Sequence, residues 1–154
     1  MNPPSTQHDF LVQHTRLLMQ SYERLLASPL VVASENMDSV NGLFNAPFAL
    51  VSHNTAADPV FNYANAKALE LFEYSWDDFT CLPSRLSAEP MNRQARESLL
   101  LTVRQQGYIR HYQGIRLSKM GRRFQINNAV VWNLFDSDNV YSGQAACVKE
   151  WVFL

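Results

Sequence analysis

Strong net charge and long apolar runs are both missing from this sequence of 154 residues. Its formal net charge is −1, so it has no long-range field that would attract nucleic acid or an anionic membrane. The longest apolar stretches are interrupted at Ser28-Pro29 and at residues 45–47, and none approaches the roughly 20 residues that crossing a bilayer requires. We therefore expect no nucleic-acid partner and no membrane partner.

Cysteine, glycine and the motifs of common catalytic and metal sites are also scarce. The two cysteines, Cys81 and Cys147, lie far apart, and the N-terminus lacks the basic and then apolar block of a secretory signal, which favours a reduced, cytoplasmic location. There is no Cys-x-x-Cys, His-Glu-x-x-His or Gly-x-Ser-x-Gly motif, and the five glycines form no phosphate-binding loop. These absences favour a protein that is not an enzyme and that has no metal site.

The composition is that of one folded domain. Apolar residues make up 47% of the chain and charged residues 18%, which is typical of a globular protein. Residues 9–27 are predicted to form an amphipathic helix, with Leu11, Leu18 and Leu25 on one side. That side either packs on the chain's own domain or forms the seam of a homodimer. We assign residues 1–45 to this helix and a connector, and residues 46–154 to the domain proper.

The remaining elements follow the order of an α+β domain. The predicted strands are residues 48–53, 60–63, 111–118, 122–135 and 140–152, and the predicted helices are residues 66–72, 76–79 and 93–106. Asn65 and Ser75 are suited to cap the first two of these helices, and Gly107 ends the third. Arg96 is expected on the outer side of that helix, and Arg116 on a solvated sheet face. The pattern predicts a five-stranded antiparallel sheet with helices on one face.

The strand at residues 122–135 has the clearest alternation. Apolar residues at every second position are predicted to share one dry face, namely Phe124, Ile126, Val130, Trp132 and Leu134. Asn128 falls in the same series. Asn133 is predicted to lie on the opposite, wet face.

Four short segments carry a family resemblance. They are DPVFNY at residues 58–63, LPSRLSAEP at 82–90, GRRF at 121–124 and VWNL at 131–134. With the order of the elements, they resemble a PAS domain and, more closely, the MEKHLA domain, a PAS-related family. That family occurs as stand-alone bacterial and algal proteins and as a module of plant homeodomain-leucine-zipper regulators. The resemblance implies a sensory or dimerisation role.

The resemblance also implies a pocket between the concave face of the sheet and the short helices. Two cofactors of the superfamily are disfavoured there. The flavin photosensors carry an Asn-Cys-Arg-Phe-Leu-Gln motif, whereas Cys81 stands in the context FTCLP. A haem would need an axial histidine in the helical segment, and residues 65–106 contain none. The sequence names no cofactor, and the expected ligand is a small, mainly apolar molecule.

Asn128 and Gln113 are the first candidate ligand-binding residues. A carboxamide on an apolar face must find hydrogen bonds once it is buried, and a ligand, a backbone group or a trapped water would each supply them for Asn128. Gln113, if it also points inward, would be the second polar contact.

Four further residues complete the candidate site. Ala145 and Cys147 are predicted on the inward face of the last strand, where small side chains either leave room for a ligand or allow close packing. Trp132 would anchor the core beside the pocket. Arg85 either clamps an anionic group or fixes its own loop through an ion pair.

Three functions are compatible with these observations. The favoured one is a sensory or regulatory module that binds a small ligand, mediates dimerisation, or does both. The second is a ligand-free homodimerisation domain. A small cone-shaped α+β enzyme is the weakest alternative, because no acidic residue is predicted on a dry face.

Overall fold

One antiparallel sheet forms the centre of the computed structural model, which describes residues 3–4, 8–31 and 38–154. The strands are β1 (Ala49–His53), β2 (Phe61–Ala64), β3 (Tyr108–Leu117), β4 (Arg123–Phe135), β5 (Tyr141–Val148) and β6 (Glu150–Phe153). Their order across the sheet is β2-β1-β5-β4-β3, and β6 pairs with the first half of β4. Since β5 pairs with the second half of β4, β6 continues β5 after Lys149. The predicted five-stranded arrangement is confirmed.

The helices between β2 and β3 cover one face of this sheet. They are α3 (Ala66–Phe72), α4 (Trp76–Phe79) and α5 (Arg93–Gln106), with two short 3-10 turns at Ser84–Ser87 and Pro90–Asn92. Ser75 and Asn65 cap α4 and α3 as predicted, and Gly107 ends α5 with a positive φ of 98°. Asn92 precedes α5 but makes no side-chain capping bond.

A longer helix, α1 (His8–Leu26), lies against the opposite face. Its leucines Leu11, Leu18 and Leu26 are buried in one cluster with Trp132 and Leu134 of β4. The apolar side of α1 therefore packs on the chain's own sheet, the first of the two alternatives. No helix of the described residues combines the length and the apolar character needed to cross a membrane.

A bulge in β4 changes which residues share a face. Asn128 has a positive φ of 55°, and two β4 residues lie opposite one β3 residue between the Tyr112–Ala129 and Gly114–Ile126 pairs. Such an extra residue shifts the alternation by one position. The prediction of a single dry face along the whole strand is thus wrong.

The two halves of β4 consequently bury different series. Phe124, Ile126 and Val131 face the helices α3 to α5, whereas Trp132 and Leu134 face α1. The predicted wet side is also buried in the second half of the strand.

Asn65 joins three elements at the start of α3. Its Oδ1 accepts hydrogen bonds from Ala68 N at 3.1 Å and Leu50 N at 3.0 Å. Its Nδ2 donates to Phe48 O at 2.8 Å and to Leu43 O at 3.2 Å, at the C-terminal end of α2 (Ser39–Phe44). All four hydrogen-bonding positions of this fully buried amide are filled, so it fixes where β1 and α3 meet.

Candidate functional site

A cavity of about 70 Å³ lies between the sheet and α5. Most of its wall is apolar, with contributions from Val51, Phe61, Phe72, Leu99, Ile126 and Val131. Polar residues of several elements also line it, among them His53 at the end of β1, Arg96 on α5, and Tyr112 with Arg116 on β3. This is the space between sheet and short helices in which the sequence predicted a ligand.

His53 presents a buried nitrogen without a partner. Its Nδ1 lies 2.9 Å from Asn54 O, which fixes the ring, while Nε2 has no hydrogen-bond partner within the described part of the chain. Burial lowers the pKa of His53, and the positive charge of Arg96 lowers it further, against the opposing effects of the hydrogen bond to Asn54 O and of the nearby Gln144 side chain. The side chain is therefore a neutral imidazole near pH 7.

Arg96 is buried in spite of its charge. Only 6% of the residue is exposed, and within the described part of the chain its side chain makes one hydrogen bond, from Nη2 to Ser84 Oγ. Burial, followed by the charge of Arg116, lowers the pKa of Arg96 to about 10. The group is still cationic at neutral pH, so a charge faces the cavity.

Arg116 is the second buried cation, with 9% of the residue exposed. Its guanidinium donates to Ile115 O at 2.9 Å and to the Tyr112 hydroxyl at 3.2 Å. Gly114 lies between Tyr112 and Arg116 on the same face of β3, and a Cβ there would stand 2.4 Å from the Tyr112 hydroxyl and 3.0 Å from Arg116 Nη1. The missing side chain at Gly114 lets these two groups meet over the strand.

Gln144 connects the sheet to α5 beside His53, which lies opposite it in the strand pairing. Its Nε2 donates to Leu100 O at 2.9 Å and to Asn133 Oδ1 at 3.1 Å. Asn133 in turn donates to Val103 O at 3.0 Å. These bonds hold α5 over the sheet and leave the cavity beneath its first half.

The site offers cations and a hydrophobic wall but no carboxylate. Among the described residues no Asp or Glu lines the cavity, and neither guanidinium forms an ion pair. The described residues also include no group of three His, Cys, Asp or Glu side chains placed to hold a metal ion. The arrangement is suited to binding, and it presents no acidic group for proton transfer.

Asn128 and Gln113 lie away from this cavity. Because of the bulge, Asn128 is exposed and hydrogen-bonds to His111 Nδ1, so its predicted position on the dry face is wrong. Gln113 is exposed as well and donates to Asn127 Oδ1 at 3.0 Å. The alternation along β3 places its neighbours Tyr112 and Gly114 on the cavity side of the strand and Gln113 on the other side. Asn128 borders a separate cavity of about 180 Å³ on the α1 side of the sheet.

The other predicted residues are distributed between core and surface. Trp132 is fully buried against α1, in the same cluster as Ala145 and Cys147. Ala145 also borders the helix-side cavity, and Cys147 borders the cavity beside Asn128. Arg85 is exposed and pairs with Asp58 at 3.2 Å, which is the loop-fixing alternative.

Sequence reasoning missed His53, Arg96 and Arg116. Arg96 was expected outside, yet it precedes the buried Leu99 and Val103 by three and seven residues, so it occupies a position of the buried stripe of α5. That spacing was a usable signal. The burial of Arg116 depends on strand pairing and on Gly114, which no local pattern reveals.

Comparison with known families and curated proteins gives the following matches. The sequence model of the MEKHLA domain matches residues 12–153. The chain is 26% identical over 141 residues to the homeobox-leucine zipper protein HOX9 of Oryza sativa subsp. indica, covering 90% of this chain and 17% of that protein. It is 29% identical over 103 residues to the homeobox-leucine zipper protein ATHB-9 of Arabidopsis thaliana, covering 67% and 12%. The chain thus spans a small part of these relatives.

Solved structures show the same fold at low sequence identity. The PAS domain of a protein from Colwellia psychrerythraea superposes with a TM-score of 0.61 at 15% identity, covering 71% of this chain and 90% of that one. The photo-excited blue-light photoreceptor Vivid gives a TM-score of 0.61 at 13% identity, covering 86% and 94%. The sheet with its flanking helices is therefore a PAS fold.

Proposed function

This chain belongs to the MEKHLA domain family, and from that premise we propose that it is a PAS-like sensory or regulatory module whose helix-side cavity binds a small, mainly apolar ligand. The observation that carries this proposal is the cavity itself. It lies between the sheet and α5 and is lined by His53, whose buried Nε2 has no hydrogen-bond partner among the described residues. A buried polar atom without a partner is costly in an empty site, and a bound molecule removes that cost.

Strand β4 connects the cavity to α1, so ligand binding in the cavity can affect the packing of α1. On β4, Val131 contacts the cavity while the adjacent Trp132 packs under α1. A ligand that binds one arrangement of β4 more tightly than another shifts the population toward it. The packing of α1 would respond, so α1 is the element through which we propose that the signal leaves the domain.

We include homodimerisation in the proposal as one way in which the domain passes on its signal. Since the buried leucines of α1 are used within the chain, a dimer would form through other surfaces. The light-state dimer is the subject of one solved structure of Vivid, which supports dimerisation as an output in this fold. We propose a cytoplasmic location for the protein. We also propose that it has no catalytic activity, because no acidic group lines the cavity among the described residues.

A cavity-filling variant tests ligand binding. Ala146 lines the cavity, and Ala146→Met would place three further heavy atoms in it. Ala95 is exposed on α5, so Ala95→Met is the matched control. Melting temperatures are measured with isovalerate, isovaleramide and isoamyl alcohol, which share an apolar body; the first is anionic and the other two are neutral.

At ten times its dissociation constant, a ligand stabilises the native state by about 1.4 kcal/mol, or roughly 3–5 °C for a domain of this size. We expect at least one compound to reach this shift with the native protein and with Ala95→Met but not with Ala146→Met. The proposal fails if no compound shifts the melting temperature, or if Ala146→Met responds as the native protein does.

A further inference from the structure

Two buried guanidinium groups face the same cavity, and among the described residues neither has a carboxylate within ion-pair distance. Arg96 reaches it from α5 and Arg116 from β3, with 6% and 9% of each residue exposed. Their hydrogen bonds go to neutral oxygens only: Ser84 Oγ for Arg96, and Ile115 O with the Tyr112 hydroxyl for Arg116. The cavity therefore holds an excess of positive charge.

Two other arginines of the chain form ion pairs with carboxylates. Arg85 pairs with Asp58, and Arg123 pairs with Glu89. These pairs are exposed, where an unpaired arginine would be well hydrated at little cost. A buried charge without a partner is far more expensive, and here two like charges are placed close enough for one to lower the pKa of the other. A bound anion would compensate both.

The remaining wall limits what that anion can be. Val131 and Leu99 are among the apolar residues that form most of the cavity surface, and its volume is about 70 Å³. Binding sites for drug-sized ligands are several times larger, at about 300–1,000 Å³. A ligand with one anionic group and a short apolar body satisfies both the charge and the wall.

We infer that the cavity binds a small organic monocarboxylate, whose carboxylate pairs with Arg96 and Arg116 and whose short aliphatic body lies against Leu99 and Val131. A guanidinium is well matched to a carboxylate because two parallel N–H donors meet its two oxygens. The inference rests on the proposed function, since it assigns a ligand class to the same cavity. It adds that charge, and not the apolar contact alone, selects the ligand.

Calorimetric titration of the full chain with isovalerate and with isovaleramide tests this directly. The two probes have nearly the same shape and differ in charge. A hydrogen bond to a charged group contributes about 1.5–3 kcal/mol, so we expect isovalerate to bind at least about 10-fold more tightly. The variant Arg96→Met should weaken isovalerate binding by about 10- to 100-fold and leave isovaleramide unchanged. Arg104→Met, an exposed position of the same helix, is the control for loss of one positive charge.

The outcomes separate this inference from the proposed function. If isovaleramide binds as tightly as isovalerate, the cavity is a ligand site but the carboxylate assignment is wrong. If neither binds, the carboxylate assignment is wrong, and the proposed function fails with it if isoamyl alcohol also gives no shift of the melting temperature. Inorganic phosphate binding as tightly as isovalerate would overturn the role of the apolar body.

A second measurement addresses a structural role for Arg96. In the absence of ligand, Arg96→Met should not lower the urea midpoint, because it removes a buried charge that has no anionic partner. A variant that unfolds at lower urea and still binds isovalerate normally would assign Arg96 to structure and overturn the inference. Arg116→Met, tested in the same way, provides the second variant.

Discussion

Acid should loosen the attachment of α1, because His14 is buried as a neutral imidazole. His14 lies on the sheet side of α1 with 5% of the residue exposed, and its Nε2 is 2.8 Å from Ser52 Oγ. Ser52 Oγ donates its own proton to Asn62 Oδ1 at 2.6 Å, so it accepts from His14. The ring also stacks on Phe10, with ring centroids 4.9 Å apart.

The pKa of His14 fixes the size and the sign of the effect. Burial lowers it from 6.5 to about 4. Below pH 6.5 the unfolded chain therefore takes up a proton that the folded protein rejects, and stability falls as the pH decreases toward 4. Between pH 7 and pH 5 this linkage amounts to about 2 kcal/mol.

Urea unfolding at pH 7 and pH 5 measures this loss. The variant His14→Gln keeps an amide donor for Ser52 and cannot take up a proton, so it should lose about 2 kcal/mol less than the native protein between the two pH values. His8→Gln, at an exposed position of the same helix, should behave like the native protein. The lowered pKa of His53 acts in the same direction in all three proteins and cancels in the comparison. Equal losses of stability in His14→Gln and His8→Gln would refute a role for His14 in this pH dependence.

Three further predictions concern the framework around the site. Asn65→Ala removes four buried hydrogen bonds and should cost about 3–5 kcal/mol in urea unfolding, since several backbone groups lose their partner; a loss below 1 kcal/mol would contradict the role given to this amide. Gly143→Ala would place a Cβ 2.0 Å from His53 O at a φ of 128°, so we expect a loss of several kcal/mol and a lower melting temperature. Cys81 is exposed, whereas burial raises the pKa of Cys147 to about 12; a thiol reagent at pH 8 should modify one cysteine quickly and the second only after denaturation, and two fast reactions would refute this.

Local sequence signals were sufficient for the elements and for most of their ends. Asn65 and Ser75 provide side-chain oxygens at the starts of α3 and α4, and Gly107 accepts a positive φ at the end of α5. These interactions involve residues close in sequence, so a single chain reveals them.

The face of each β4 residue could not be obtained in the same way. Asn128 tolerates a left-handed conformation better than most residues, but nothing nearby in the sequence requires a bulge there. The displaced alternation depends on pairing with β3, which lies more than ten residues away. One extra residue was enough to place Asn128 outside and Asn133 inside.

The candidate site depends in addition on contacts between distant elements. Arg96 and Arg116 are separated by 20 positions, and arginine is a residue type that usually lies at the surface. Their common cavity arises only when α5 lies over β3 and β5. The spacing along α5 could have indicated the burial of Arg96, which we expected outside, but it contains no signal that a second cation faces it.

A crystal structure of the natively purified protein grown with isovalerate tests the central claim most directly. We predict density for one small molecule between the sheet and α5, with its carboxylate oxygens about 2.7–2.9 Å from the Arg96 guanidinium and its aliphatic end against Val131. A cavity that contains only water, or that is closed by rearranged side chains, would contradict it.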